Sequence, residues 1–198
     1  VTYSFIIKNT GNTKLNNVSL KDNLAGQLGG AFVRIVTAPS IVAATTSTAT
    51  PGSTNAAYAG TSTASELLNL SGMLLAGDSL TVSVVVELDP DNATANKNAN
   101  GQLENQAATQ ANPVSATGQP LNGPNGQPLG PVSDLSDTGT NADGTNPGQP
   151  GDTGGSNDPT VFSVPQINAA KAITNVVPAA SGVQGNYDVT LKYTVANT

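Results

Sequence analysis

The sequence predicts an all-β fold, an antiparallel sandwich, on three observations. Apolar and polar residues alternate over several short stretches, the period of a half-buried strand. Gly, Pro and Asn punctuate those stretches at turn-like intervals. No segment carries a convincing helical apolar stripe.

Residues 1–9 read as a strand with Tyr3, Phe5 and Ile7 on one face, closed by a turn over Thr10-Gly11-Asn12-Thr13. Asn17–Asp22 follows as a short strand with Val18 and Leu20 inward. Ala31–Val36 and the β-branched Ile41–Thr48 are two further candidates, ended by Pro51-Gly52. Residues 53–65 are small and polar and read as a loop. Glu66–Leu75, with five leucines, suits one helical turn or an irregular buried segment. Ser79–Leu88 is the clearest strand: Leu80, Val82, Val84 and Val86 alternate, and Val85 on the other face implies burial on both sides. Asp89-Pro90-Asp91-Asn92 ends it as an Asx-capped turn. Leu103–Ala111 returns as a strand with Glu104 and Gln106 outward. Residues 118–130, which repeat Gly-Gln-Pro-Leu, suit a hairpin tip or an extended insert. Strand character resumes at Thr160–Val164, then at Ile167–Val177 and Tyr187–Val195. The predicted core is Tyr3, Phe5, Ile7, Val18, Leu20, Phe32, Leu80, Val82, Val84 and Val86.

Composition narrows the function. The 198 residues contain neither His nor Cys, which excludes an imidazole base, a thiolate nucleophile, a disulfide and a His/Cys zinc site. The available glutamates are Glu66, Glu87 and Glu104, too poor a supply for paired-carboxylate chemistry, so no enzyme is expected. A net charge of −6, with seven Lys and Arg, disfavours nucleic acid and anionic lipid as partners. No apolar run is long enough to span a bilayer, and any export signal or anchor is expected outside these residues. Three glycosylation sequons, at Asn17, Asn69 and Asn92, are what chance supplies in so Asn- and Thr-rich a chain.

The chain also begins again at its end. Residues 189–198 (VTLKYTVANT) realign with 1–10 (VTYSFIIKNT), with Val1, Thr2, Asn9 and Thr10 repeated identically and the apolar alternation in phase. The offset of 188 residues reads as a repeat period, one unit of a tandem or polymeric array. The expected division is a body over 1–165 and, over 166–198, the opening strands of the next repeat. A body lacking its own opening strand exposes an unpaired edge. Residues 166–198 therefore either add a strand to a neighbouring copy or simply begin the next covalent module.

Three segments, VTYSFIIKNTGNTKLNNVSLKD (1–22), SDLSDTGTNADGTNPGQPGDTGGSNDPTVF (133–162) and QINAAKAITN (166–175), resemble the DUF11-type repeat of giant bacterial surface proteins, in the form found in Bacteroidota. The likeness covers both ends of the chain and reaches 40–130 only as a pattern. It implies an Ig-like β-sandwich serving as an extracellular spacer or fibre module of an adhesin or filament, at the cell surface.

Within 133–160, Asp134, Asp137, Asn141, Asp143, Asp152, Asn157 and Asp158 are hard oxygen donors interleaved with Gly. Calcium takes such oxygens, with tight turns between them. The expectation is a Ca²⁺ site that stiffens the joint between repeats; the same composition also fits a polar linker. A functional alternative is a ligand-binding module, in which loops 40–75 and 112–131 form a carbohydrate- or protein-binding end.

Overall fold

The computed structural model describes residues 1–45, 52–89, 92, 97–98, 101–139, 159–162, 167–180 and 182–197. The chain divides into two compact units, Val1–Phe162 and Ser163–Thr198. The first is an all-β, antiparallel sandwich with a three-stranded sheet, ordered β1 (Thr2–Lys8), β5 (Ser79–Leu88), β3 (Phe32–Ala44), and a four-stranded sheet, ordered β4 (Gly72–Leu74), β2 (Lys14–Lys21), β7 (Ala108–Val114), β8 (Val132–Leu135); its core draws on both sheets and on the segments between them.

Strand β1 (Thr2–Lys8) buries Tyr3, Phe5 and Ile7 and turns Thr2 and Ser4 outward. It pairs with β5 (Ser79–Leu88), setting Tyr3 opposite Val84, Phe5 opposite Val82 and Ile7 opposite Leu80. Opposed residues of an antiparallel pair share a face, so two apolar alternations merge into one layer. Central β5 has Val85 half-buried on its second face, as expected. Val82 is fully buried, and Val82→Ala should cost about 2 kcal/mol of stability by lost transfer energy and the cavity left behind. A shift in denaturation midpoint without a change in slope would show it.

Where two strands were expected over 31–48, the structure has one, β3 (Phe32–Ala44), with four register shifts against β5. Pro39 lies within it and has no N–H to offer a ladder, which is tolerated because β3 is the outer strand of its sheet. Phe32, expected in the core, is only half-buried. Its ring packs on Gly60, whose φ of 69° and lack of a Cβ allow that approach.

Strand β2 (Lys14–Lys21) is longer than its sequence signal. Asn17 adopts φ 52° at a bulge, and past it Val18, Ser19 and Leu20 are all buried. A short helix then appears where none was expected: α1 (Leu24–Leu28), followed by a 3-10 turn at Gly29–Ala31. Asn23 starts it by accepting a hydrogen bond from the Gly26 N–H, and Leu24 and Leu28 anchor it in the core. The segment 52–71 is irregular, with Tyr58, Leu67 and Leu68 buried, and it feeds the short β4 (Gly72–Leu74).

The strand expected over 103–111 is broken into β6 (Leu103–Asn105) and β7 (Ala108–Val114). The cause is Gln27 of α1. Its Oε1 accepts from the Gln106 N–H at 2.6 Å, and its Nε2 donates to the Gln106 carbonyl at 2.8 Å. A side-chain amide thus takes the place of a neighbouring strand at that peptide. Strand β7 pairs with β2 and with β8 (Val132–Leu135), while β6 pairs with β9 (Thr160–Phe162). The second unit is a hairpin of β10 (Ile167–Pro178) and β11 (Tyr187–Asn197).

Candidate functional site

The inward phase of β2 runs Val18, Leu20 and then Asp22, which is 1% exposed at the point where the strand gives way to α1. Its Oδ2 accepts from Asn105 Nδ2 at 2.7 Å, and its Oδ1 accepts from Gln27 Nε2 at 3.1 Å. Its main-chain N–H donates to the Ser65 carbonyl, and the Tyr58 hydroxyl donates to its main-chain carbonyl. Asn105 arrives by the same rule, two residues beyond Leu103 on the inward face of β6, and is 2% exposed.

Among the described residues, none of the groups bonded to this carboxylate is a cation. Burial therefore pushes the Asp22 carboxyl up to about 7, with the Asn105 hydrogen bond pulling the other way. Tyr3 and Tyr58 are raised as well, chiefly by burial and further by the nearby Asp22 charge. Two atoms of this cluster, Tyr3 OH and Asn105 Oδ1, are buried with no hydrogen-bond partner among the described residues. A buried polar group normally finds a partner, so an unspent donor and an unspent acceptor beside a buried acid single this cluster out. Asp22 and Asn105 carried a legible signal, since both extend inward apolar alternations. Gln27 and Tyr58 did not, because they reach the cluster from irregular or helical segments.

Of the seven expected metal ligands, Asp134 and Asp137 fall among the described residues. Asp134 lies on β8 opposite Thr109 and is half-buried; Asp137 is 7% exposed just beyond it. Asn141, Asp143, Asp152, Asn157 and Asp158 lie outside the described residues.

Each of the three glutamates has a partner of its own. Glu66 pairs with Lys21 at 2.9 Å, Glu87 with Arg34 at 2.7 Å, and Glu104 accepts from Asn98 at 2.8 Å. After β5, Asn92 Nδ2 donates to Asp89 Oδ2, the side-chain bond expected of a turn; Asp91 lies outside the described residues. A shallow groove at one end of the body, lined by Lys14, Met73, Leu75, Val114 and Leu121, holds none of the buried polar groups. Comparison of the chain with protein-family models, with curated proteins and with solved structures finds no match.

Proposed function

We propose that the chain is a non-catalytic structural repeat of a long extracellular bacterial adhesin or filament, in which β10 and β11 are the opening strands of the next copy. One observation carries this reading. Among the described strands β1 forms an outer edge of a three-stranded sheet that faces a four-stranded one. Strand β11 repeats the apolar alternation of β1 in phase at an offset of 188, with four of ten residues over 1–10 and 189–198 identical, and β10 pairs along β11 in antiparallel register. Transferred through that offset, β10 of one copy covers the open edge of β1 in the following copy and makes the sheets equal. The resemblance to DUF11-type repeats supports the same role. Copies joined in this way form either one continuous chain or a polymer of separate chains linked by strand addition. In the same proposal, Ca²⁺ held by the acidic segment 133–160 stiffens the joint.

The test is a two-period chain, residues 1–188 followed directly by 1–198. Its second body has a preceding hairpin and its first does not. Two unfolding transitions are expected, the later one above the single chain by about 2 kcal/mol or more from the added apolar burial. Coincident transitions at the single-chain midpoint would refute the reading. Melting the same chain in Ca²⁺ and in chelator tests the ion separately: a bound ion raises the midpoint by mass action.

A further inference from the structure

The hairpin register carries more than an edge strand. In it Ala169 stands opposite Val195, Lys171 opposite Tyr193 and Ile173 opposite Leu191. Those β11 residues correspond at the 188-residue offset to Ile7, Phe5 and Tyr3 of β1, all three turned into the core. Opposed residues share a face. The inward face of β10 is therefore Ala169, Lys171 and Ile173, with a lysine in its middle. Lys171 Nζ already lies 5.6 Å from the centre of the Tyr193 ring, so the two side chains do share a side. Carried onto β1, that lysine projects inward beside Phe5 and Tyr3. It approaches a cluster that holds a buried carboxylate without a cation, an unpartnered phenol and an unpartnered carboxamide oxygen.

We propose that Lys171 of each copy enters the core of the following copy and forms an isopeptide bond from its Nζ to the side-chain carbonyl carbon of Asn105, with Asp22 carrying the proton. The proposal rests on the repeat reading above. Burial disfavours the ammonium and the carboxylate alike, so the pair passes one proton from Lys171 to Asp22 and leaves a neutral amine. The amine nitrogen attacks Cγ of Asn105; the Nζ–Cγ bond forms and the Cγ–Nδ2 bond breaks. Asp22 Oδ2, 2.7 Å from Nδ2, is placed to protonate the departing nitrogen. The second amine proton of Lys171 returns to the carboxylate or leaves with the nitrogen, so that ammonia or ammonium is the sole by-product and nothing is oxidised or reduced. The product is a covalent tie between the opening strand of a repeat and its β6, in a chain that has no cysteine with which to make one.

Intact-mass spectrometry of the two-period chain tests this. The expected mass is about 17 Da below that of its sequence, one ammonia lost. Proteolysis should release a branched peptide joining Lys171 of the first period to Asn105 of the second. Lys171→Arg, which keeps the strand and the charge but offers no amine, should restore the full mass, as should Asn105→Ala. Full mass together with a stabilised second body overturns the cross-link and leaves the repeat reading intact. Full mass with no stabilisation overturns both. Loss of ammonia that persists in Lys171→Arg is ring closure at an Asn-Gly step such as Asn122-Gly123, and also overturns the cross-link.

Discussion

Raising the pH from 4 to 8 is expected to cost the single chain up to about 4 kcal/mol of folding stability, all of it traceable to Asp22. The carboxyl titrates at 3.8 in the unfolded reference and at about 7 when buried in the fold. The folded state thus binds this proton more tightly. Its contribution is complete below pH 3.8, falls by about 1.4 kcal/mol per pH unit above it, and is gone once the pH passes about 7. The titratable groups that share its surroundings are the phenols of Tyr3 and Tyr58, both raised by burial and uncharged across this window. Urea midpoints measured at unit intervals from pH 4 to 8 should trace the decline. Asp22→Asn keeps an acceptor for the neighbouring amides, removes the titration and should flatten the curve. An equally sloping curve in that variant would mean that other carboxyls set the dependence.

How much of this was legible in the sequence follows from how far each determinant lies along the chain. Strands β1 and β5 were readable because alternation alone specifies them, and their inward residues are the buried ones. The break between β6 and β7 was not, because it is imposed by Gln27, 79 residues away. The leucines of 66–75 suited a buried segment, and Leu67 and Leu68 are buried, but nothing in the small, polar run 53–65 showed that Tyr58 would be, since no period marks an irregular segment. The polar cluster is an intermediate case. Asp22 and Asn105 each continue the inward phase of an alternating strand, a local conflict that sequence alone exposes. What it cannot supply is that Asp22 and Asn105 come within 2.7 Å of each other across 83 residues. Such conflicts between pattern and residue type mark sites where a fold gives up local consistency for function.

The second large effect concerns the hairpin. A two-stranded ribbon is marginal at best in water, and this one has Ile173, Val176, Val189, Leu191, Tyr193 and Val195 between 39% and 65% exposed. Its register puts all six on one face, since Val176 stands opposite Val189 once the irregularity near Thr174 is passed. The opposite face of β11 carries Thr190, Lys192 and Thr194. Val177 apart, the large apolar residues of the two strands thus gather on one side, and such a face is built to be covered. In the single chain, amide exchange over 167–197 should run within about tenfold of unfolded rates. In the two-period chain the first of the two hairpins continues into a body, and its amides should slow by about a thousandfold, a local stability of roughly 4 kcal/mol. The terminal hairpin of the same molecule serves as the internal control and should stay fast. Equal exchange in both hairpins would mean that β10 never docks, and would remove the route by which Lys171 reaches Asp22. Slowing in the first hairpin of the Lys171→Arg chain, where no amide bond can form, would separate the energy of burial from that of the cross-link. It would also establish the order of events, in which apolar docking comes first and places the amine, and the covalent bond then makes the docking permanent.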